Sequence, residues 1–528
     1  MTKSTKLTKY IALALCTIMV GGVACGCSGS SPSPSVDPSS SSASSGEAAK
    51  EAANATYKKE IIIGLANTFT TADPQATASI TNQILYTVTH STLLKWDYET
   101  SKYVCDLAES YEKVDDKTYI FKLHPDAFFH SGEPVKASDI IYTYTRGKES
   151  AYTSAKVAII DTMTAVDDHT IQFNLTGPSQ NFLFDLTNPN MSILSEKAMT
   201  ADGEQGAMIG SGAYYYESID FGNETKLYRF DKYFGEMPKS EQLTFRQYSE
   251  DATRVIALQT GDIDYCQTPS TMDLEYIAQD KNLDLIQMEG TRLNYMVMNN
   301  SKKPFTDKKV RQALNYAINK DDVVKVAANG FGTVYKCYLT PISYAFYGDM
   351  EGYNYNIEKA KALLAEAGYP NGFEFSVLCH DSTSRGIAPV LQAQFAQIGV
   401  TMNIQEVETA VRNSMIKANE HDACMAAHVN LVSADNNLRL LFYTNFANNR
   451  MKYSNPKVDQ LLDSAMIETD EAKRLSMYKE LQEIVVDDAI CIPLYVETLN
   501  IAKKHSLEGV KINATGCHNF TYSYIVEA

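Results

Sequence analysis

The stretch LAESYEKVDDKTYIFKLHPDAFFHSGEPVKASDIIYTYTR, which runs from Leu107 to Arg146, predicts a strand, a polar turn and a helix in immediate succession. Within it, TYIFKL at Thr118–Leu123 has the alternation of a strand with one buried face. The segment SGEP at Ser131–Pro134 then predicts a turn. The helix is predicted to begin near Ala137, because the short oxygen-bearing side chains of Ser138 and Asp139 can accept its unpaired first amides. A strand and a helix this close together indicate a mixed α/β architecture.

The same two elements alternate further along the chain. FEFSVLC at Phe373–Cys379 and TMNIQEV at Thr401–Val407 predict strands that flank a helix over GIAPVLQAQFAQIG, and this order favours a parallel sheet. Thr306 and Asn356 are predicted to cap two amphipathic helices, and a long helix is predicted over residues 470–487. The predicted fold class is therefore α/β, with mixed sheets and flanking helices.

The N-terminal residues 1–27 have the order of a bacterial export signal. Three lysines precede the apolar run Tyr10–Val20, and small residues and cysteines follow it. The sequence around Cys27 resembles a lipoprotein cleavage box, so Cys27 is the predicted lipidation site, with Cys25 as the alternative. Residues 28–56 are rich in serine and poor in large apolar side chains, which predicts a disordered tether.

Charge and motif content argue against several classes of function. The chain has 47 Lys and Arg against 64 Asp and Glu, and its net charge of −17 repels nucleic-acid phosphates. The cysteines beyond the signal are scattered without a zinc spacing, although one or two disulfides stay open. His421 and His428 could share a helical face but have no third ligand, so no metal or cofactor is predicted. No G-x-S-x-G, H-E-x-x-H or P-loop motif is present, and we predict that the protein is not an enzyme.

The block Leu107–Arg146 resembles a signature of the extracytoplasmic solute-binding proteins of the dipeptide- and oligopeptide-binding family, solute-binding protein family 5, which serve ABC importers. It matches the family's LAESW turn, the strand that follows, and the motifs F-H-x-G-x-P and A-x-D-V. The resemblance covers nearly all of residues 57–528. Its other matching segments are IGSGAYYYES from Ile209, YRFDKYFGEMP from Tyr228, LQTGDIDY from Leu258, KVRQALNYAINKDDVV from Lys309, YNIEKAKALLAEAGYPNGF from Tyr355 and SNPKVDQLLDSA from Ser454.

The resemblance implies a two-lobe clamshell of the periplasmic-binding-protein type, with an extra subdomain on lobe one and two crossings of the chain between the lobes. Lobe one is assigned to residues 57–89, 210–288 and 497–528, the extra subdomain to 90–209, and lobe two to 289–496. The ligand would lie between the lobes. It would favour the closed state, because only that state contacts it from both sides.

The sequence departs from the ligand-binding pattern of the family at the segment AAHVNLVSAD. Peptide-binding relatives hold the charged amino end of the ligand with an aspartate that follows a Gly-Trp pair. An ungapped alignment onto AAHVNLVSAD places Ala426 and Ala427 at that pair and Asn430 at the aspartate. A buried ammonium that loses its counter-charge costs roughly 3 to 5 kcal/mol, so peptides with a free amino end are in doubt. Asp435 could substitute for the aspartate, but a solvated helix cap explains it equally well.

Other residues are predicted to contact the ligand from both lobes. Arg385 is the candidate for a ligand carboxylate, because a guanidinium can bind both oxygens and Arg385 precedes a helix where relatives have a ligand-facing arginine. A surface arginine is the alternative. The remaining candidates lie in segments that are expected to face the cleft, with strand packing or ordinary turns as their alternatives: Asn294, Tyr295, Asn299, Thr68, Thr70 and Asp73.

The sequence thus predicts a substrate-binding lipoprotein that captures peptides, or a related small solute, and delivers them to the permease subunits of an ABC transporter. We expect a monomer that is held by its lipid at the outer face of the cell membrane. The same scaffold could bind a non-peptide solute such as a metal chelate, a sugar or a signalling molecule, and Asn430 keeps that alternative open. An extracellular enzyme and an adhesin or sensor without transport are the alternatives from other classes.

Overall fold

The structure is a computed structural model that describes residues 56–446 and 449–527. Cys25, Cys27 and the predicted signal and tether before residue 56 lie outside these residues. The strands are β1 (Thr56–Tyr57), β2 (Glu60–Leu65), β3 (Leu94–Asp97), β4 (Lys102–Cys105), β5 (Ala108–Lys113), β6 (Thr118–Leu123), β7 (Ile160–Asp167), β8 (Thr170–Leu175), β9 (Tyr214–Asp220), β10 (Glu224–Arg229), β11 (Gln242–Gln247), β12 (Tyr265–Gln267), β13 (Leu283–Met298), β14 (Gly332–Val334), β15 (Glu374–Cys379), β16 (Thr401–Glu406), β17 (Ala423–Val429), β18 (Cys491–Lys504), β19 (Leu507–Glu508) and β20 (Tyr524–Glu527).

Helices alternate with these strands along most of the chain. They are α1 (Ile80–Thr89), α2 (Ala137–Gly147), α3 (Ser154–Val157), α4 (Phe182–Asp185), α5 (Glu196–Asp202), α6 (Asp251–Thr260), α7 (Leu274–Gln279), α8 (Lys308–Tyr316), α9 (Lys320–Ala327), α10 (Ile357–Glu366), α11 (Ser382–Ala396), α12 (Thr409–Lys417), α13 (Ala434–Phe442), α14 (Pro456–Ile467) and α15 (Glu471–Asp487). Short 3-10 helices lie at Pro189–Met191 and Gly203–Met208.

One large mixed sheet organises the fold. Its eleven strands include β14, which pairs with β18, and the others follow the order β16-β15-β17-β13-β18-β12-β2-β11-β10-β9. Strand β15 runs parallel to β16 and β17, and β2 runs parallel to β11 and β12. The predicted strand, helix, strand order around α11 is confirmed, and so is the predicted α/β class with mixed sheets.

Two long strands, β13 and β18, join the two halves of this sheet. They pair antiparallel along most of their length, and the register is interrupted between Glu289 and Leu293. A Cβ at Gly290 would lie 2.7 Å from the carbonyl oxygen of Glu497, so the two backbones come close at this irregularity. The predicted crossings near residues 289 and 497 fall inside these strands. The lobe boundaries themselves stay a prediction.

A second sheet lies within the predicted extra subdomain. Its antiparallel order is β5-β6-β8-β7, and α2 follows β6 in the chain. Helix α2 begins at Ala137, as predicted, but the interpretation of Ser138 as its cap is wrong. The carboxylate of Asp139 accepts the backbone N–H of Lys136 at 2.9 Å and that of Glu196 at 3.0 Å, while Ser138 is already inside the helix.

Three other predicted helix starts can be compared with the structure. Asn356 caps α10 as predicted, because its Oδ1 accepts the backbone N–H of Lys359 at 2.9 Å. The prediction for Thr306 is wrong, since Asp307 is the cap of α8 and accepts the N–H of Lys309 at 2.8 Å. Helix α11 begins earlier than predicted, because Asp381 and Ser384 form a capping box at its start. Arg385 therefore lies inside the first turn of α11 rather than before the helix.

The described residues contain neither a disulfide nor a cluster of metal-ligating side chains. All seven cysteines from Cys105 to Cys517 are unpaired there. No group of three His, Cys, Asp or Glu side chains in this part of the chain is arranged to hold a metal ion. The Nε2 atom of His421 lies 3.0 Å from the carbonyl oxygen of Arg450, and that of His428 lies 3.2 Å from Oδ1 of Asn437, so the two rings have separate partners. None of the helices given above is long and apolar enough to cross a bilayer.

Candidate ligand-binding site

Polar residues gather at one edge of the part of the large sheet that contains β15, β16 and β17. Strands β15, β16 and β17 run in the same direction, so their carboxyl ends meet at this edge. Asp381 follows β15, Glu406 ends β16 and Asn430 follows β17. Arg292 reaches the same edge from β13, where it is paired with Val429. The carboxyl edge of parallel strands is the usual ligand site of open α/β sheets.

Asn430 is held by its backbone, while its side chain has no partner. Its N–H donates to the carbonyl oxygen of Thr291 at 2.7 Å. The Asn437 amide fixes the next residue, Leu431, by accepting its N–H at 2.9 Å and donating to its carbonyl at 2.8 Å. The Asn430 side chain is fully buried, and neither Oδ1 nor Nδ2 has a hydrogen-bond partner among the described residues. Such a group costs about 1 to 3 kcal/mol, which a ligand can recover by bonding to it.

Asp435 is buried and already neutralised. Its two carboxylate oxygens accept from Nε and Nη2 of Arg439 at 3.0 and 3.2 Å. Burial raises the pKa of the Asp435 carboxyl, and the Arg439 guanidinium opposes that effect. The idea of a solvated cap is wrong, because the side chain is buried and Ser433 caps α13 instead. Asp435 has no spare charge for a ligand ammonium in this arrangement.

Asn294 belongs to a charged network at the irregularity between β13 and β18. Its Nδ2 donates to Oε1 of Glu497 at 2.9 Å, and Nε of Arg292 donates to the same oxygen at 3.3 Å. Nη2 of Arg292 also lies 3.7 Å from Oδ2 of Asp381. The network places two carboxylates and a guanidinium at the edge that contains Asn430. The side-chain amide of Asn294 thus orients the carboxylate of Glu497 in this structure.

Tyr295, Arg385 and Asn299 lie in three different surroundings. Burial raises the pKa of Tyr295 to about 12, and its hydroxyl has no partner among the described residues. Arg385 is half-exposed, and its Nε is 4.0 Å from Oε2 of Glu406 at the same edge. Asn299 lies beyond the opposite end of β13, where Nδ2 donates to Oδ1 of Asn419 and to the His421 carbonyl, both at 2.8 Å. The structure does not bring Asn299 to the edge with the others.

The lobe-one candidates are engaged in loop contacts. The Thr68 hydroxyl donates to the Phe69 carbonyl at 2.9 Å, and that of Thr70 donates to Oδ1 of Asn82 at 3.2 Å. Asp73 accepts from Nη1 of Arg146 at 3.2 Å and from Nη2 at 2.5 Å. These bonds hold the loop after β2 against α1 and α2. Ligand contact by Thr68 and Thr70 stays a prediction, as it does for the other candidates.

Asn181 joins the segment that was assigned to the extra subdomain with the segment that was assigned to lobe two. This side chain accepts from the Ser433 hydroxyl at 2.7 Å and donates to Oδ1 of Asn436 at 3.1 Å. Asp185, at the end of α4, lies beside Asn436, and burial raises its pKa to about 7. This contact between sequence-distant segments thus contains a titratable carboxyl group, Asp185, in addition to the buried Asp435.

Asp185 predicts a pH dependence of stability. Its pKa is higher in the folded protein than the value of about 3.8 in the unfolded chain. The stabilisation of the folded state by protonated Asp185 is therefore complete below pH 3.8 and is lost as the pH rises to about 7. The contribution is on the order of 2 kcal/mol, because water still screens the half-buried side chain. Urea unfolding at pH 4 to 8 checks this. The wild-type protein should lose stability relative to Asp185→Asn over that range, and parallel curves would contradict the prediction.

Several residues at this edge were not predicted from the sequence. Arg292 and Glu497 are 205 positions apart, so no local pattern links them. Asp435 and Arg439 are four residues apart on α13, so their ion pair was predictable from the sequence.

A sheet shared by two halves, with unpaired polar groups at the edge beside the connecting strands, defines a two-lobe α/β solute-binding protein. The family model for bacterial extracellular solute-binding proteins, family 5 (middle), matches residues 102–450. This chain belongs to that family. The family assignment made from the motifs is confirmed.

Individual relatives agree with this assignment. The chain is 30% identical over 488 residues to the glutathione-binding protein GsiB of Pectobacterium atrosepticum, covering 88% of this chain and 93% of the relative. It is 28% identical over 469 residues to the dipeptide-binding protein of Escherichia coli K12, covering 82% and 88%. The periplasmic binding protein DppA of Helicobacter pylori, solved with the peptide STSA, superposes with a TM-score of 0.79 at 24% identity, covering 91% and 100%.

Proposed function

We propose that this protein is the substrate-binding lipoprotein of an ABC importer, which captures peptides outside the cell and delivers them to a membrane permease. The observation that carries the proposal is the Asn430 side chain, which is buried at the carboxyl edge of lobe two with both polar atoms unpartnered among the described residues. One primary amide offers a donor and an acceptor, which is the complement of a peptide group. The dipeptide- and glutathione-binding relatives support a peptide-like ligand.

A non-peptide solute is the second candidate, and the same residue favours it. An amide at Asn430 and a neutralised Asp435 mean that neither of these two residues offers a free carboxylate to a ligand ammonium. A neutral or acidic solute with amide-like groups therefore fits this edge better than a peptide held by its charged amino end.

The cellular arrangement is part of the same proposal. Residues 1–27 act as an export signal, Cys27 receives the lipid, and residues 28–56 tether a monomeric body to the outer face of the membrane. Within the body, lobe one comprises 57–89, 210–288 and 497–528, and the extra subdomain and lobe two comprise 90–209 and 289–496.

Native mass spectrometry of the exported protein, released gently from membranes, tests both parts. We expect a ladder of peptide masses that leaves the protein on unfolding. A single non-peptide mass would favour the second candidate, and a protein that stays empty after mixing with peptides would contradict the proposal. The mass of the unfolded chain also tests lipidation, because a lipid on Cys27 requires a mature chain that begins at that residue.

A further inference from the structure

Asn181 connects two segments that are far apart in the chain. Its carbonyl oxygen accepts the N–H of Asp185 at 2.7 Å, which fixes the residue at the start of α4. Its side chain bonds to the start of α13 instead of capping α4: Oδ1 accepts from the Ser433 hydroxyl at 2.7 Å, and Nδ2 donates to Oδ1 of Asn436 at 3.1 Å. Nδ2 also lies 3.5 Å from Oδ2 of Asp435. Asn181 is 3% exposed, so water competes little for these bonds.

The contact made by Asn181 is a crossing point between two assigned parts of the body. The segment assigned to the extra subdomain is bound to lobe one by the ion pair of Arg146 with Asp73, at 2.5 Å, and by the bond from Nε2 of Gln83 to Oδ1 of Asn190, at 2.7 Å. Toward the segment assigned to lobe two, in contrast, every hydrogen bond or ion pair among the described residues involves Asn181. Because the extra subdomain is tied to lobe one, separation of the lobes breaks the polar contact at this one side chain.

The other end of the contact is the first turn of α13, which is joined to the ligand edge. Ser433 caps this helix by accepting the N–H of Asn436 at 3.2 Å. Asn437, in the same turn, holds Leu431 by accepting its N–H at 2.9 Å and donating to its carbonyl at 2.8 Å. Leu431 directly follows Asn430, whose buried side chain has no partner among the described residues. A contact that holds this turn in place therefore also holds the segment that positions Asn430.

We propose that Asn181 is a positioning residue that latches the first turn of α13 to α4 in the closed state and thereby slows the release of the captured solute. Solute enters while the lobes are open, so a bond that belongs to the closed state acts on the rate of release rather than on the rate of association. The inference rests on the proposed function, because it gives Asn181 a part in retaining the solute at the edge that contains Asn430. Loss of two such neutral bonds changes an equilibrium by about tenfold.

Release of tritium-labelled trialanine from the full chain tests the latch. After a chase with excess unlabelled trialanine, Asn181→Ala should release the label about tenfold faster than the wild-type protein, because its two buried bonds to α13 are lost. The association rate, obtained from the release rate and the equilibrium dissociation constant, should change by less than about twofold. Equal release rates, or slower association with an unchanged release rate, would overturn the proposal.

Two further variants separate the latch from a general loss of structure. Thr176→Ala is the matched control, because Thr176 is an exposed polar residue of the same segment whose hydroxyl donates to the Ile159 carbonyl at 3.4 Å. It should release trialanine at the wild-type rate. Ser433→Ala removes the other end of the bond, so the double variant with Asn181→Ala should accelerate release at least about threefold less than the product of the two single effects. Single effects that simply multiply would overturn the latch.

Failure of peptide capture can be told apart from failure of the latch. If the wild-type protein does not bind trialanine, the peptide function fails, and the latch is then judged by amide hydrogen exchange in the ligand-free full chain. The N–H groups of Leu431 and Asn436 should exchange at least about threefold faster in Asn181→Ala than in the wild-type protein and in Thr176→Ala, because the turn that holds them loses its bonds to α4. Equal exchange in all three proteins would overturn the latch as well.

Discussion

Replacing Asp264 by alanine is expected to lower the free energy of unfolding by about 3 kcal/mol, since it removes the common partner of two cations and a buried amide. The Asp264 carboxylate is inaccessible to solvent. It accepts from Nζ of Lys58 at 2.7 Å, from Nζ of Lys504 at 2.8 Å and from the N–H of Ile62 at 2.8 Å. Together with Asp264 itself, these partners join three distant segments of the chain, all assigned to lobe one.

Urea unfolding at neutral pH checks this result, with Asp262→Ala as the control. Asp262 is two residues away and exposed, and within the part of the chain that the structure describes its carboxylate accepts only from the neighbouring Thr260 hydroxyl, at 2.8 Å. The control should change the stability by less than about 0.5 kcal/mol. Equal and small effects of both substitutions would mean that apolar packing alone holds the three segments together.

The substitution Asn430→Asp is expected to create a preference for peptides with a free amino end. A carboxylate at this buried position supplies the counter-charge that the wild-type amide lacks, and such a pair is worth roughly 3 kcal/mol, or about 100-fold in affinity. The same tripeptide with a free and an acetylated amino end should therefore bind the wild-type protein with similar affinity. The variant should bind the free form about 100-fold more tightly than the acetylated form.

Isothermal titration calorimetry measures both ratios, and Asn354→Asp is the matched control. Asn354 is an exposed asparagine of lobe two, so the same change of charge there should leave the ratio unchanged. If the wild-type protein already prefers the free form by a similar factor, another carboxylate holds the ammonium. Asp381 and Glu497 would then be the residues to substitute, because they lie at the same edge.

Local sequence patterns predicted much of the fold. Asn356 was identified as a helix cap because capping depends on amides within three residues of it. The strands β15 and β16 were predicted because side-chain spacing in a strand is a property of neighbouring residues. The errors at Thr306 and Ser138 are also local, since two short polar residues stood side by side and the sequence does not say which one accepts the backbone N–H at the helix start.

The candidate site was less predictable. Asn430 and Arg385 were found by position within the family pattern, and both lie at the carboxyl edge of lobe two. Asn299 was chosen, together with Asn294, because both lie in the segment that enters the predicted lobe two after the crossover. Five residues along a strand span about 16 Å, however, which separates the two side chains widely. Arg292 and Glu497 were missed because each looks like an ordinary surface residue when its neighbours in space are unknown.

The sequence by itself determined the α/β class, most helix and strand positions, and the family, because these depend on patterns between residues that are close in the chain. Only the tertiary structure decided which polar groups are satisfied. Glu497 meets Arg292 and Asn294 because two long strands pair across more than 200 positions. Strand pairing also leaves the Asn430 side chain, which directly follows β17, without a hydrogen-bond partner among the described residues. Hydrogen bonding is satisfied or not by atoms within about 3 Å, and strand register sets which atoms come that close.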